Sequence, residues 1–277
     1  MSAAAALPRP GALARLARCL AAALACLALA GCHPVPPRPE AASGDFLARE
    51  LVLDGRSYRY RVFVPAAPGP RPVVLFLHGS GERGGDNLAQ TRVGLGPYLR
   101  TQPDFPAIVV FPQSPAGESW EGRTAAMAMA ALEQASREFG GDRARTYLTG
   151  MSRGGYGTVA LALAHPGRFA ALVPVCGGVT APGTRPDLDD LYVHAVAGAH
   201  DPFAAAAHGL ARTPVWLYHG AADPVVPAAQ SRRLHASLQA AGAPVRYTEL
   251  PGVGHDAWDA AYRDPALWRW LFAQRLR

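Results

Sequence analysis

Short apolar runs alternate with longer segments of helical period along most of the chain. Continuous apolar runs of strand length occupy residues 73–77, 107–111, 170–175, 215–218 and 245–250. Helices are favoured between and after them, over residues 125–139, 154–164, 227–241 and 265–275. Continuous apolar strands separated by helices are typical of parallel sheets that are covered on both faces. The pattern therefore predicts an α/β fold with a mostly parallel central sheet and helices on both faces.

The N-terminal part of the pattern predicts an antiparallel hairpin. Two short strands, at residues 51–53 and 58–64, flank Asp54-Gly55, which is a turn signal of two residues. Further along the chain, residues from about 179 to 213 interrupt the alternation of strands and helices. We expect this segment to form an insertion over one end of a strand.

Composition supports one well-packed domain, which we expect to span residues 45–277. The chain has 277 residues, of which 49% are hydrophobic and 17% charged, so it can bury a core and is not disordered throughout. Its net charge of +6 comes from 27 basic residues, all of them arginine, against 21 acidic residues. These arginines are scattered, without a basic run or an interleaved stripe of aromatic residues. Nucleic acid is therefore not an expected partner.

The first residues have the pattern of an export signal. Arg9, Arg15 and Arg18 precede an apolar run over residues 19–30, which is short for a membrane-spanning helix. The run ends in Leu29-Ala30-Gly31-Cys32, which resembles the lipobox of bacterial lipoproteins. We therefore predict a lipoprotein signal peptide over residues 1–31. The alternative is an ordinary signal peptide followed by a cysteine without a function.

The lipobox resemblance implies that Cys32 is acylated and anchors an exported protein to the bacterial cell envelope. Because His33, not aspartate, follows Cys32, the resemblance implies the outer membrane in a Gram-negative cell. Without acylation, the protein would be periplasmic or secreted. Residues 32–44 are rich in proline and are expected to form an extended tether. Beyond Cys32 only Cys176 remains, so no disulfide framework is expected.

The strongest chemical signal is the segment Gly150-Met151-Ser152-Arg153-Gly154-Gly155. It lies between a short predicted strand, residues 146–149, and the helix predicted over residues 154–164. A G-x-S-x-G segment between a strand and a helix is typical of a nucleophile elbow, whose sharp turn exposes the serine hydroxyl. We expect Ser152 to be a nucleophile. The alternative is a serine that caps a helix in a glycine-rich turn.

A nucleophilic serine needs a base and an acid that orients the base, in the chain order Ser, acid, His. His255 follows the last predicted strand in a loop that contains two glycines, and it is the candidate base; the alternative is a surface histidine. Asp223 follows the strand at residues 215–218 and is the candidate acid. Asp201, in the predicted insertion, is a weaker candidate. His78 is expected to pack or to form hydrogen bonds beneath the site.

Acyl transfer also needs donors that stabilise the oxyanion of the transition state. We assign the backbone N–H groups of Arg153, directly after the nucleophile, and of Ser80, in the glycine-rich turn after the strand at residues 73–77. That turn matches neither common phosphate-binding pattern. Metal-ligand spacings of histidine or cysteine are also missing from the sequence, so neither a cofactor nor a metal is expected. Trp120 and Trp258 are candidates for lining the substrate pocket, with core packing as the alternative.

Four segments carry a resemblance to a known superfamily. They are residues 78–84 (HGSGERG), 150–155 (GMSRGG), 223–227 (DPVVP) and 254–258 (GHDAW). In this order they resemble the α/β-hydrolase superfamily. They are most similar to its exported bacterial carboxylesterases and predicted peptidases, which are related to phospholipase/carboxylesterase-type and feruloyl-esterase-type enzymes. The resemblance covers about residues 48–276.

The resemblance implies that Ser152 is the nucleophile, Asp223 the acid and His255 the base of a serine carboxylesterase. Such an enzyme cleaves small ester substrates through an acyl-enzyme intermediate and needs no cofactor. Two alternatives stay open at this point. One is a serine peptidase of the prolyl-oligopeptidase type, which shares this catalytic domain. The other is a binding lipoprotein that is built on a hydrolase scaffold and has no catalytic activity.

Overall fold

A computed structural model describes residues 46–65 and 69–276, all of which fall in one compact unit. Its centre is a sheet of eight strands in the order β1-β2-β4-β3-β5-β6-β7-β8. The strands are β1 (Phe46–Leu53), β2 (Arg56–Phe63), β3 (Arg71–Leu77), β4 (Ile108–Pro112), β5 (Gly141–Met151), β6 (Ala171–Val175), β7 (Val215–Gly220) and β8 (Val245–Leu250). Strands β3 to β8 pair in parallel, whereas β1 pairs antiparallel with β2, and β2 with β4.

Helices cover both faces of this sheet. They are α1 (Leu95–Arg100), α2 (Gly122–Phe139), α3 (Arg153–Ala164), α4 (Pro202–Leu210), α5 (Ala229–Ala240), α6 (Trp258–Arg263) and α7 (Pro265–Ala273). Successive side chains of a strand point to opposite faces, so a strand buried on both faces is apolar throughout. In β3, Val73 and Leu75 pack in the core beneath α2 to α5, and Val74 and Phe76 in the core beneath α1, α6 and α7.

The structure confirms the predicted fold class. An α/β-hydrolase sheet with a mostly parallel centre and an antiparallel N-terminal pair is present, and every strand and helix predicted from the pattern is found. The hairpin turn lies where the sequence predicted it. Asp54 and Gly55 have φ values of 49° and 74°, which match the twist of the strands that they connect.

One prediction needs correction, because the segment over residues 179–213 is not an insertion throughout. Its last part forms α4, which connects β6 to β7 as a regular crossover helix. Asp201 caps this helix by accepting hydrogen bonds from the backbone N–H groups of Phe203 and Ala204, and Pro202 occupies the first helical position. Many side chains of this helix are short and apolar, so its sequence lacks a clear helical period of apolar and polar positions. Only residues before Pro202 depart from the alternation.

Three further differences concern lengths and short elements. Strand β5 extends over eleven residues, well beyond the predicted 146–149. Helices α1 and α6, of six residues each, were not predicted, because segments of this length show too little periodicity. The predicted signal peptide over residues 1–31, the tether over residues 32–44 and Cys32 lie outside the described residues. Within the described part of the chain, the helices are too short or too polar to cross a membrane.

Candidate active site

The candidate site lies at one edge of the sheet, where the parallel strands end. Strands β3, β5, β7 and β8 run in the same direction, so the residues that follow them meet at the same edge. Ser152 follows β5, Asp223 lies in the loop after β7, and His255 lies in the loop after β8. The fold thereby brings together three side chains that are far apart in sequence.

Ser152 occupies the sharp turn between β5 and α3. Its backbone has a φ of 53° and a ψ of −119°, a conformation that costs energy for a residue with a side chain. The N–H of Ser152 donates to the backbone oxygen of Val175 at 2.9 Å, which holds the turn against β6. This strained conformation, next to a helix N-terminus, is the geometry of a nucleophile elbow.

The glycines of the elbow are required for space. A Cβ atom on Gly154 would lie 1.9 Å from the backbone oxygen of Leu77, and one on Gly150 would lie 2.2 Å from the backbone oxygen of Gly154. Neither glycine has a positive φ, in contrast to Ser152 itself. The elbow therefore depends on close contact between the backbone of β3, β5 and α3.

The three candidate side chains form one hydrogen-bonded line. The Nε2 atom of His255 lies 2.8 Å from the Oγ atom of Ser152, and its Nδ1 atom lies 2.7 Å from the Oδ2 atom of Asp223. A carboxylate only accepts, so Nδ1 carries the ring proton and Nε2 is free to accept the serine proton. This is the arrangement in which a serine can be deprotonated as it attacks a carbonyl carbon.

Asp223 is held as a carboxylate by several donors. Burial alone would raise its pKa, but hydrogen bonds from His219 and His255 outweigh this effect and bring the pKa well below its usual range. The other carboxylate oxygen, Oδ1, accepts hydrogen bonds from the backbone N–H groups of Val225 and Val226 at 2.8 and 3.0 Å. Asp223 is therefore ionised and fixed in orientation.

His219 supports this acid from the buried side. Its Nε2 atom lies 2.8 Å from the backbone oxygen of Val226 and 3.3 Å from the Oδ2 atom of Asp223. Since both are acceptors, Nε2 carries the proton, and Nδ1 accepts from the Ser231 hydroxyl at 2.7 Å. The sequence analysis did not single out His219, so this supporting position was missed. Its spacing of four residues from Asp223 is a signal that could have indicated it.

The turn after β3 lies directly against the nucleophile. Ser80–Glu82 form one turn of 3₁₀ helix, and a Cβ atom on Gly79 would lie 3.6 Å from the Cβ atom of Ser152. Arg153 is the first residue of α3, so its backbone N–H has no acceptor within the helix. Both segments that hold the expected oxyanion donors are thus adjacent to Ser152. The oxyanion role of Ser80 and Arg153 stays a prediction.

His78 is fully buried beneath this turn and does not reach the serine. Its Nδ1 atom donates to the backbone oxygen of Gly79 at 2.7 Å, and its Nε2 atom accepts from the backbone N–H of Ser114 at 3.0 Å. Burial lowers the pKa of His78 to about 4, against the weaker opposite effect of the Gly79 carbonyl. Trp120 donates from Nε1 to the backbone oxygen of His78 at 2.9 Å. The turn is therefore braced from below by a neutral histidine and a tryptophan.

A carboxyl group also lies inside the turn. The Oε2 atom of Glu82 is buried and has no hydrogen-bond partner among the described residues, and burial raises the pKa of this side chain. A Cβ atom on Gly79 would lie 3.1 Å from this oxygen. The carboxyl group therefore fills the space next to Gly79.

The side chain of Arg153 connects this turn to the segment before α4. Its Nε atom donates to the Oγ atom of Ser80 at 2.9 Å, and its two terminal nitrogens lie 3.4 and 3.3 Å from the carboxylate oxygens of Asp190. Sequence reasoning assigned Arg153 only a backbone role and did not single out Asp190. No local signal indicates this contact, because 37 residues separate the two positions.

Comparison with known proteins identifies the family. The sequence model of the prolyl oligopeptidase family matches residues 116–273. The chain belongs to the prolyl oligopeptidase family. Since the matched region includes Ser152, Asp223 and His255, the elbow and both loops of the candidate triad lie within the part of the chain that defines the family. Membership in this family confirms the resemblance to α/β-hydrolases.

Individual relatives of this family member include esterases. The crystal structure of a thermostable esterase is 30% identical and has a TM-score of 0.70; the match covers 84% of this chain and 64% of that chain. A protein named for esterase activity, NocK from Nocardia uniformis subsp. tsuyamanensis, is 28% identical over 165 residues, which are 54% of this chain and 46% of NocK. An uncharacterised secreted protein from Arthroderma benhamiae is 27% identical over 199 residues, 66% of this chain and 21% of its own. The chain thus spans less than two thirds of each relative.

The two tryptophans predicted for the pocket of this prolyl oligopeptidase family member occupy different surroundings. Trp120 is buried, with its ring edge-on to His78 at a centroid distance of 4.8 Å, and it borders a recess beside Arg153. Trp258 begins α6, is half-buried and lies edge-on to the His255 ring at 5.4 Å. Trp120 has the contacts of a packing residue and Trp258 those of a neighbour of the base. Substrate contact by either stays a prediction.

One group of side chains in the described residues is close enough to be considered as a metal site of this family member. Ligand atoms of Cys176, Asp223 and His255 lie within 4.8 Å of one another. However, Asp223 and His255 already bond each other, and burial raises the pKa of the Cys176 thiol to about 12. Metals bind the thiolate, so this donor set suits a cation poorly. Cys176 was predicted only as an unpaired cysteine, and the structure shows it free and buried.

Proposed function

We propose that the protein is a serine hydrolase that cleaves carboxylic esters through Ser152, His255 and Asp223. The observation that carries this proposal is the unbroken line of hydrogen bonds from the Asp223 carboxylate to the Ser152 hydroxyl, at 2.7 and 2.8 Å. The strained backbone of Ser152 and the two relatives that are named esterases support it.

The mechanism proceeds through acylation and deacylation, each with two proton transfers, which are joined by one acyl-enzyme intermediate. His255 accepts the Ser152 proton at Nε2 while Oγ attacks the ester carbonyl carbon, and Asp223 stabilises the resulting imidazolium. The backbone N–H groups of Ser80 and Arg153 donate to the oxyanion. His255 then gives the proton to the leaving alkoxide, which leaves an acyl group on Ser152. Water activated by His255 hydrolyses this acyl-enzyme and restores the serine.

The test is covalent labelling together with ester hydrolysis. The purified protein should react with a fluorophosphonate probe and hydrolyse 4-nitrophenyl butyrate. Both activities should be lost in Ser152→Ala, with a drop in kcat of at least about 10³-fold. Ser237→Ala, a serine of helix α5, is the matched control and should behave like the wild type. Labelling that persists in Ser152→Ala would contradict the proposal, and absence of labelling in the wild type would favour a binding protein without catalysis.

A second candidate function is peptide hydrolysis, which the family match favours. The same three residues and the same acyl-enzyme would serve an amide substrate, but an amine leaves less readily than an alkoxide. A panel of acetyl, butyryl and feruloyl esters and short peptide 4-nitroanilides separates the two. We expect higher kcat/KM for esters throughout. A peptide cleaved faster than every ester would instead identify a peptidase.

We further propose that the protein is exported and lipid-anchored through Cys32. Export is supported by a relative that is described as secreted. The anchor rests on the Leu29-Ala30-Gly31-Cys32 segment after a short apolar run, and acylation at Cys32 would place the hydrolase at the surface of a cell-envelope membrane.

A further inference from the structure

Two guanidinium groups meet at one residue of the turn beside Ser152. The Nε atom of Arg153 donates to the Ser80 hydroxyl at 2.9 Å, and the Nε atom of Arg83 donates to the Ser80 backbone oxygen at 3.0 Å. Ser80 is uncharged, so neither contact neutralises an arginine. The geometry therefore places two positive charges at the rim of the candidate site.

One carboxylate faces these charges. Among the described residues, Arg153 forms one ion pair, with Asp190, and Arg83 forms none. Arg83 also interacts electrostatically with Asp190 and, in the opposite sense, with Arg153. These three side chains together carry a net positive charge; the other acidic groups near the nucleophile are Glu82, whose pKa burial raises, and Asp223, which bonds His255. Such a charge raises the local concentration of anions.

The ion pair of Asp190 and Arg153 has long contacts, and its two side chains differ in exposure to solvent. Its contacts of 3.3 and 3.4 Å are longer than the 2.7 to 2.9 Å that is usual for hydrogen bonds between charged groups. The side chain of Asp190 is 62% exposed, whereas that of Arg153 is 3% exposed. An anion that binds Arg153 in its place can therefore displace the Asp190 carboxylate into water without leaving the buried guanidinium unpaired. The guanidinium itself stays buried, and its terminal nitrogens can donate to a closer bidentate partner.

The Asp190 carboxylate borders a small recess of about 10 Å³, so a substrate group fits there only in the place of Asp190. We call this the Arg153 recess. Its lining includes the aromatic side chains of Trp120, Tyr156 and Tyr192, one cation, the buried guanidinium of Arg153, and two acidic residues, Asp190 and Glu121. The Glu121 carboxylate is already engaged, because it accepts from the backbone N–H of His194 and contacts the ring of that histidine. The position that Asp190 now occupies is where a carboxylate would meet both terminal nitrogens of Arg153.

We propose that the Arg153 recess binds an anionic group of the substrate, so that the preferred substrates are carboxylic esters that also carry an ionised carboxylate. The substrate carboxylate replaces Asp190 on Arg153, with Arg83 as a second positive charge nearby. This inference rests on the proposed function of Ser152 as a nucleophile, and it adds the substrate class. Arg83, Arg153 and Asp190 are then specificity-determining residues.

The test compares pairs of substrates that differ only in charge. The anionic members are the monomethyl esters of succinic, glutaric and adipic acid, and each neutral partner has an amide in place of the free carboxylate. The three acids differ in the distance between ester and carboxylate, because the ester must reach Ser152 while the carboxylate reaches the recess. At the best length, we expect kcat/KM for the anion to exceed that of the amide about tenfold at low salt, with most of this preference lost near 0.5 M salt.

Three variants locate the preference. Asp190→Asn removes the competing carboxylate and should raise the anion-to-amide ratio about fivefold, whereas Arg83→Gln should lower it about fivefold. Asp187→Asn is the matched control, because Asp187 lies in the same segment, is 60% exposed and pairs with Arg185. Its ratio should equal that of the wild type. Because the readout is a ratio within each variant, a general loss of activity does not affect it.

The outcomes separate the two proposals. If the protein neither labels with fluorophosphonate nor hydrolyses 4-nitrophenyl butyrate, the proposed function itself is wrong. If both reactions occur but the ratio stays near one at all three lengths, the recess does not select an anion. A ratio that is unchanged in both Asp190→Asn and Arg83→Gln would likewise overturn the inference and leave these residues a structural role only.

Discussion

At the residue scale, each of three buried or half-buried histidines is held in one tautomer by its partners. His255 donates to Asp223 and accepts from Ser152, and His219 accepts from Ser231. His78 donates to a carbonyl oxygen and accepts from a backbone N–H. A proton added to the Nε2 atom of His78 would point at the backbone N–H of Ser114, so two donors would face each other without an acceptor. This arrangement adds to the effect of burial, which lowers the pKa of His78 to about 4.

We expect His78 to make stability depend on pH. Below its ordinary pKa of 6.5, the unfolded chain binds a proton at this residue that the folded protein does not bind until about pH 4. The contribution of His78 to stability is therefore fully present above pH 6.5 and is lost as pH decreases toward 4. Between about pH 6.5 and 5 the free energy of unfolding should drop by about 2 kcal/mol.

Urea denaturation at several pH values between 6.5 and 5 measures the slope of the free energy of unfolding against pH. His78→Gln should remove the contribution of His78 to this slope, whatever its effect on stability at pH 8, and His208→Gln, an exposed residue of α4, is the matched control that should keep it. Burial raises the pKa of Glu82 above its ordinary value of 4.5, so this carboxyl contributes with the opposite sign above pH 4.5, and the contribution of His78 is the difference in slope between His78→Gln and the wild type, both of which retain Glu82. A slope that is equal in His78→Gln and in the wild type would refute the assignment.

At the element scale, the site depends on how closely backbones approach each other. Strand β3, the end of β5 and the first turn of α3 meet at Leu77 and Gly154, where a single Cβ atom would overlap a carbonyl oxygen. A second close approach joins the first turn of α3 to the segment after β6, since a Cβ atom on Gly155 would lie 2.8 Å from the Cα atom of Gly177. The elbow is therefore rigid because neighbouring elements confine it.

Gly154→Ala should prevent this packing. Its Cβ atom would lie 1.9 Å from the backbone oxygen of Leu77, and a strand inside the sheet cannot move away. We expect a loss of at least about 3 kcal/mol in the free energy of unfolding, or no folded protein. Gly198→Ala is the control, because nothing lies within 4 Å of its Cβ position, and it should change stability by less than about 0.5 kcal/mol. Equal thermal stability of the two variants would contradict the prediction.

The elements themselves were largely predictable, and their exceptions have a physical reason. Strands β3, β4 and β6 are buried on both faces, so their apolar runs identify them. Helix α4 has alanine at four of its nine positions, which weakens the contrast between its buried and exposed faces. Its Asp201-Pro202 start was the better signal. Asp201 was considered as an acid, whereas the structure shows it as a helix cap.

At the scale of the whole molecule, the sheet gathers the three residues of the candidate triad, of which Ser152 and His255 are 103 positions apart. Strands that run in parallel deliver their following loops to one edge, so a triad can form from distant segments. The proposed anchor at Cys32 belongs to the same scale, because it would determine where in the cell the protein, with its candidate active site, is located. Its residues lie outside the described part of the chain, so it is tested in cells.

Cys32→Ser should release the protein from membranes. Acylation at this thiol would supply the chains that hold the protein at a bilayer, and without it the affinity falls to that of a soluble domain. After expression of the full chain in a Gram-negative host, the wild type should fractionate with membranes and Cys32→Ser with the soluble fraction. Cys26→Ser, within the same predicted signal peptide, should fractionate like the wild type. A membrane-bound Cys32→Ser would show that Cys32 is not the anchor.

The amino-acid sequence by itself determined the fold class, the order of the strands and of the longer helices α2, α3, α5 and α7, and the candidate residues Ser152, Asp223 and His255. Period, turn residues and glycine spacing are properties of neighbours along the chain, so they can be observed without a structure. Only the tertiary structure decided which groups lie together across the chain: His219 against Asp223 in the core, the buried oxygen of Glu82, and Asp190 on Arg153. Burial and pairing of this kind depend on how distant segments pack, and apart from the four-residue spacing of His219 and Asp223 no local pattern indicates them.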